Sequence, residues 1–304
     1  MRLNEQTRET PSPFKEALLS QISELGGSTT LARRLWNALT PRGQTEVEKR
    51  NKVMRDFIVP GIEDKISSDK RAAAKKTVVD LAIKHLDEEG TISDGGTGKP
   101  KADSEFIERL LAHIKIFLFA GHDTTATTIC WMFKLLQDNP ETLEKLRAEH
   151  DAVLGADINK APEIILASPH LLFSLPYTLG VIKETLRLYP LAATNRRGLP
   201  DFFISSPRLP VKIPTDGWDL WDANLIVQTS LAFWERGDEF LPERWLAAEG
   251  DPLYPPKDGW RPFELGPRAC IGQELAMTEL RLVTVLVARE IDIEEAWDEW
   301  DQVM

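Results

Sequence analysis

Apolar residues recur with helical spacing from Phe106 to Leu136, and Pro140 marks the end of the run. Asp103 or Ser104 can cap the start, with Glu105 in the first turn, where the positive end of the helix dipole favours an acid. At about 1.5 Å per residue the run extends roughly 45 Å, enough to cross a large domain. Its middle reads Ala120-Gly121-His122-Asp123-Thr124-Thr125. Glycine and threonine are poor helix formers, and threonine hydroxyls can bond back to preceding carbonyls and bend the axis. A weak spot in a long buried helix is a cost with a reason.

Shorter runs flank it. Residues 14–90 carry amphipathic helical patterning, including the stripe Thr77 to Ile83, which stops near Gly90. Gly95, Gly96, Gly98 and Pro100 make residues 91–103 a flexible loop. It lacks the Ser or Thr after Lys99 that a phosphate loop needs, since Pro100 stands there. A helix is expected from Pro140 to Leu154, with Asn139 as cap and Gly155 as stop. Another opens at Pro176 and ends before Pro190. Between 195 and 230, Leu209 to Ile213 and Asn224 to Val227 read as short strands. A last helix, apolar on most faces, runs from about Gly272 to Arg289. The sum is a mainly α fold with a small β portion.

Composition narrows the choices. Of 304 residues, 42% are apolar and 28% charged, an ordinary globular balance. The net charge of -11 argues against nucleic acid as a partner. The two cysteines, Cys130 and Cys270, form no disulfide framework and suit a reducing compartment. No signal peptide and no run of about 20 apolar residues is present, so the chain reads as soluble and intracellular, without a membrane anchor. The histidines show no metal-ligand spacing.

The chemistry gathers at Phe263-Glu264-Leu265-Gly266-Pro267-Arg268-Ala269-Cys270-Ile271-Gly272. Two glycines and Pro267 shape a tight loop, and a helix starts directly after Cys270. The helix dipole and Arg268 both favour a thiolate there. Gly266 and Gly272 leave room for a flat ligand to approach the backbone. A thiolate is a soft ligand that suits iron. On these grounds alone a buried, inert cysteine is the commoner outcome. Glu184 and Arg187 share a helix face and can pair, though such pairs are commonly exposed and weak.

These ten residues match every fixed position of the haem loop of the cytochrome P450 family, and the chain resembles that family over roughly residues 30–300. The resemblance implies haem b, with Cys270 as iron ligand and Arg268 as a haem-propionate contact. Phe263, Gly266 and Gly272 complete the cofactor loop, and Arg196 lies where the family often places a second propionate contact. Lys183 to Pro190 resembles the family's Glu-x-x-Arg helix, and Pro242-Glu243-Arg244-Trp245 its later segment. Glu184, Arg187 and Arg244 would then form a buried charged triad. Ala120 to Thr125 resembles the oxygen-activation segment, with Gly121 opening a groove and Asp123 and Thr124 relaying protons; without that context a plain helix kink is the alternative. Cys130 is expected in the core. Gln228-Thr229 stands where His-Arg is common, and Gly237 where proline is usual.

What the resemblance implies is a monooxygenase that inserts one atom of dioxygen into a small organic substrate. It would draw electrons from NADPH-cytochrome P450 reductase at the cytoplasmic face of the endoplasmic reticulum; the style is fungal and microsomal. The expected organisation is a single partial domain over 1–304: middle helices in 1–90, the loop 91–103, the long helix 104–138 and a haem-side core in 139–304. The family's N-terminal helices and final β-hairpin have no counterpart, the chain ending at Trp300 to Met304. The alternative function is therefore a catalytically incompetent remnant that keeps haem-side packing. An isomerase or dehydratase that bypasses dioxygen is disfavoured by Asp123-Thr124.

Overall fold

The computed structural model describes residues 10–25, 35–36, 38–67, 77, 79–81, 92–93, 101–208 and 210–294. The first nine residues, most of the stripe from Thr77 to Ile83, the stop at Gly90, the glycines of the 91–103 loop, Leu209 and the segment Trp300 to Met304 lie outside them. The elements in order are α1 (Pro13–Leu25), α2 (Pro41–Ser67), β1 (Ile92–Ser93), β2 (Lys101–Ala102), α3 (Ser104–Asp138), α4 (Pro140–Leu154), α5 (Ala161–Ala167), α6 (Pro176–Leu188), β3 (Asn195–Arg197), β4 (Phe203–Ile204), β5 (Ile213–Pro214), β6 (Asp219–Trp221), α7 (Asn224–Thr229) and α8 (Gln273–Val287). Single 3-10 turns at Pro242–Leu246 and Gly266–Arg268 matter below. The architecture is mainly α, and the strands form three small antiparallel pairs.

The chain divides into two compact units, Met1–Ala120 and Gly121–Met304. In the first, Phe14 of α1, Met54, Ile58 and Ile62 of α2, and Phe106 and Leu110 of α3 share one core. In the second, Met132 and Leu136 of α3 pack with Leu146 of α4, Val181 and Ile182 of α6, and Met277 and Leu280 of α8. The helix ends follow local chemistry. Asp103 caps α3, its Oδ1 accepting from the Glu105 and Phe106 N–H groups at 2.5 and 3.0 Å. Gly155 ends α4 with φ 79°, a conformation that favours glycine.

Two expectations are corrected. Asn224 to Val227 is helical in α7, not a strand; its first turn starts after Ala223, and Val227 N–H bonds to the Ala223 carbonyl at 3.2 Å. A short apolar run fits either state, and the tertiary site decides. Cys130 is exposed rather than in the core, because α3 turns Thr128, Met132 and Phe133 inward and Cys130 to the other face. At the base of the 91–103 loop Ile92 stands opposite Ala102 and Ser93 opposite Lys101, and the loop's glycines lie outside the described residues.

The second unit is organised by charge as much as by apolar contact. Glu184 and Arg187 are fully buried in α6, and Arg244 in the Pro242–Leu246 turn is 1% exposed. Arg187 Nη2 and Nε donate to the two Glu184 carboxylate oxygens at 2.8 and 2.9 Å. The remaining Arg187 donors reach the carbonyls of Gln228, Gly237 and Glu239 at 2.7, 2.5 and 2.9 Å. Glu184 also accepts from Arg244 Nε at 3.3 Å, the Leu241 N–H at 3.1 Å and Trp245 Nε1 at 3.0 Å. Arg244 donates onward to the Glu235 and Arg236 carbonyls. The Trp234 ring lies 5.1 Å from the Arg187 guanidinium and 5.5 Å from that of Arg244, adding cation–π attraction. Close approach needs Gly180, where a Cβ would stand 2.8 Å from the Pro242 carbonyl oxygen. Each charged group is thus paired, and every nitrogen of the two guanidiniums has a partner, the condition under which buried ions are tolerated.

A second buried polar group sits where α4 meets the start of α6. Glu149 accepts from the N–H groups of Tyr177 and Thr178 at 2.6 and 2.8 Å, satisfying donors at the α6 N-terminus. The Thr178 hydroxyl donates to Glu149 at 2.7 Å and so accepts from His150 Nε2 at 2.8 Å. His150 is fully buried. Burial, aided by the nearby Arg289 charge and opposed by Asp151, pulls its pKa from the ordinary 6.5 to about 4.

Two predictions follow from these clusters. Arg187→Ala strands the Glu184 carboxylate, and breaking a buried pair costs ~3–5 kcal/mol, a large share of a domain's stability. We expect insoluble protein or a strongly lowered melting temperature; soluble protein melting like the parent would contradict the buried pairing. For His150 the unfolded chain binds the proton more readily than the fold does. Its contribution is complete above pH 6.5 and is lost as pH falls towards about 4, a total on the order of 3 kcal/mol. Denaturant midpoints measured across that window should rise with pH in the parent and rise less steeply in His150→Gln. Equal slopes would show that His150 does not titrate this way.

Candidate functional site

A cavity in the second unit is lined by Thr124, Thr125 and Thr128 of α3, Leu186 of α6, Leu191 and Ala192 after it, Pro262, Phe263, Glu264, Arg268 and Cys270 of the loop, and Ala276 and Leu280 of α8. Residues some 140 positions apart in sequence thus line one cavity. The α3 side presents hydroxyls: Thr125 and Thr128 are buried, and Thr128 Oγ1 donates back to the Thr124 carbonyl at 2.8 Å. That back-bond is the kind the residue pattern implies, and α3 remains continuous through it.

The loop before α8 supplies another part of the lining. Trp260 Nε1 donates to the Lys183 carbonyl at 3.0 Å, fixing the loop's entry on α6. The Cys270 N–H donates to the Phe263 carbonyl at 2.8 Å and the Ala269 N–H to Gly266 at 3.0 Å, so the loop closes on itself. Glu264 and Gly266 adopt φ of 60° and 78°, turning the chain sharply in the left-handed region. Cys270 comes out exposed, one turn before α8, and a Cβ on Gly272 would meet its sulfur at 3.8 Å.

Beside the cavity lies a polar cluster that sequence reasoning missed. Asn224 Nδ2 donates to Glu264 Oε1 at 3.0 Å, and Arg261 pairs with Asp222 at 3.6 Å. Burial raises the Asp222 carboxyl above its usual range, with Arg261 opposing and Glu264 reinforcing the shift. Burial pulls Glu264 the same way, yet hydrogen bonds involving Thr194 and Asn224 outweigh it and leave Glu264 below its usual range. Glu264 sat inside a recognised loop, but its neighbour could be found only from the fold.

Of the residues singled out from sequence, the structure brings Thr124, Phe263, Arg268 and Cys270 to the cavity. Gly266 and Gly272 shape the loop that carries them. Asp123 is exposed and faces His122 at 3.5 Å, and Gly121 is exposed with open space around it; neither lines the cavity. Arg196 is exposed on β3, donates to the Asn195 carbonyl at 3.1 Å, and also stands outside the lining. Glu184, Arg187 and Arg244 lie together in the core. Among the described residues no group of three or more His, Cys, Asp or Glu could hold a metal ion, and no helix is long and apolar enough to cross a membrane.

One thiol, one guanidinium and an apolar wall of Leu186, Leu191, Ala192 and Leu280 meet in the lining, beside three threonines and the Glu264 carboxylate. This lining fits a flat apolar cofactor with an acidic edge and a metal that accepts one sulfur from the protein. Comparison with known proteins points to the same class. The Cytochrome P450 family model matches residues 30–299. Cytochrome P450 monooxygenase polC of Polytolypa hystricis is 46% identical over 205 residues, 67% of this chain and 37% of that protein. Cytochrome P450 monooxygenase acrF of Aspergillus aculeatus is 33% identical over 266 residues, 82% of this chain and 50% of that one. Steroid 17-alpha-hydroxylase/17,20 lyase of Mesocricetus auratus is 27% identical over 293 residues, 95% of this chain and 54% of its own length. The chain belongs to the cytochrome P450 family, and membership implies a haem iron cofactor. It spans about half the length or less of these relatives.

Proposed function

We propose that this chain supplies the cofactor-binding core of a monooxygenase that inserts one atom of dioxygen into a small organic substrate, with Cys270 as the thiolate ligand of haem b. The observation that carries the reading is the meeting of Cys270 and Arg268 with Thr124 in one cavity. The haem iron, when bound, supplies the activation of dioxygen, and a thiolate ligand pushes electron density towards O–O cleavage. Everything else falls to the chain's own residues.

Cys270 stands in the loop just before α8 and brings its sulfur into the cavity lining as the ligand. Arg268 offers a fixed cation to the acidic edge of the cofactor. Leu186, Leu191, Ala192 and Leu280 exclude water from its apolar face. On the α3 side Thr124 Oγ1 hands protons inward. Asp123, the next residue and open to solvent, takes protons from bulk water at its carboxylate. Adjacent positions on one helix thus divide into a supplier outside the lining and a donor within it. The electrons come from NADPH-cytochrome P450 reductase, on the cytoplasmic face of the endoplasmic reticulum. The fungal monooxygenases polC and acrF are relatives in which the same reading can be pursued.

The ligand assignment is tested by the reduced carbon-monoxide spectrum of the haem-loaded chain. The parent and Cys130→Ala are expected to show the red-shifted Soret band of thiolate ligation, and Cys270→Ser to lose it. A band that survives in Cys270→Ser sinks the assignment.

A further inference from the structure

Gln228 is fully buried one residue before the end of α7, and all parts of its amide are used. Its Nε2 donates to the Leu186 and Arg187 carbonyls at 3.3 and 3.1 Å. Those carbonyls belong to the last turn of α6, where helix geometry leaves acceptors without an N–H four residues on. Its Oε1 accepts the Arg261 N–H at 2.5 Å. Its own main-chain carbonyl accepts from Arg187 Nη1 at 2.7 Å.

Arg261 opens the loop that ends at Cys270. The Arg261 carbonyl accepts the Glu264 N–H at 3.1 Å, and the Phe263 carbonyl accepts the Cys270 N–H at 2.8 Å. The loop beyond Glu264 is exposed through Ile271, so packing does little to hold it. Its placement depends on its buried entry, where Pro262 is buried and the Arg261 N–H is tied to Gln228. A single hop therefore connects the carbonyl end of the helix bearing Glu184 and Arg187 to the first peptide of the cysteine loop.

We propose that Gln228 is a positioning residue for Cys270: its amide fixes the entry of the loop on the end of α6, and so fixes where the sulfur stands in the cavity. The proposal rests on Cys270 being the iron ligand. It needs a side chain that donates on one side and accepts on the other at the same time. An aliphatic side chain of similar size fills the space and leaves the two carbonyls and the N–H unpartnered. A neutral imidazole carries one donor and one acceptor, and so can bridge the same two strands of backbone.

The test compares parent, Gln228→Leu, Gln228→His and Cys270→Ser. Amide hydrogen exchange at Arg261 and Cys270 is read on each chain without cofactor, and the reduced carbon-monoxide spectrum on each chain loaded with haem. In Gln228→Leu the Arg261 amide is expected to exchange on the order of tenfold faster, the loss of one hydrogen bond. Part of its Soret band should move to the position of non-thiolate haem at parental haem content. Gln228→His should restore both. A Leu variant with parental exchange and an intact red-shifted band overturns the proposal, as does a His variant in which both readouts are disturbed. If the Leu variant does not fold, the His variant decides: parental behaviour supports the bridge, and disturbed behaviour refutes it. The two readings separate cleanly. Loss of the band in Cys270→Ser together with an unchanged Gln228→Leu defeats only the positioning role. Retention of the band in Cys270→Ser defeats the ligand assignment, and the positioning of a ligand with it.

Discussion

A carboxylate and two guanidiniums taken out of water must find full compensation inside the protein, and the second unit is built around that requirement. Glu184 cannot be buried without Arg187, and Arg187 cannot be buried without carbonyls for its outer donors. Those carbonyls come from Gln228, Gly237 and Glu239, so the end of α7 and the segment after it are drawn against α6. Arg244 draws in the Pro242–Leu246 turn by the same means. Apolar packing alone tolerates some sliding, whereas a bidentate ion pair with directed bonds to carbonyls does not. The cluster therefore fixes register where hydrophobic contact fixes only proximity.

That rigidity serves a site carried on an exposed loop. Loops carry binding residues best when a stiff scaffold sets their ends. The Cys270 loop is exposed, turns through two left-handed residues and closes on itself with short backbone bonds. Its entry is held by Trp260 on the Lys183 carbonyl and by Gln228 on the Arg261 N–H. Lys183 and Arg187 belong to one helix with Glu184, so the anchors of the loop and the ion cluster share a single rigid element. The α3 threonines meet the loop across the cavity because Met132 and Leu136, further along the same helix, pack into the core shared with α6 and α8.

Much of this was legible in the residues, for identifiable reasons. The helices α3, α4, α6 and α8 follow from apolar periodicity bounded by Asp103, Pro140, Gly155, Pro176 and Pro190, which act locally and so can be read locally. The cysteine loop was legible through resemblance, since its glycines, Pro267 and Cys270 taken alone fit an inert buried cysteine as well. The partners of Glu184 were legible only through resemblance, since a pair three residues apart is as common on a surface as in a core. Asn224 to Val227 misled, because four apolar-leaning residues carry no period long enough to separate strand from helix. Cys130 misled because the face a residue takes on a long helix depends on what packs against it. Gln228 showed in the sequence only as a departure from the His-Arg common at that place, with nothing to reveal its partners. Its value lies in two carbonyls and one N–H brought from distant parts of the chain, and backbone partners leave no trace in side-chain pattern.

The central claim is that iron is held by sulfur from a loop hung on the charged core. X-ray absorption at the iron edge of the ferric, haem-loaded chain reads this without any assay of turnover. The account requires one sulfur neighbour in the first coordination shell of the parent. A shell made only of nitrogen and oxygen in the folded, haem-loaded parent would contradict it.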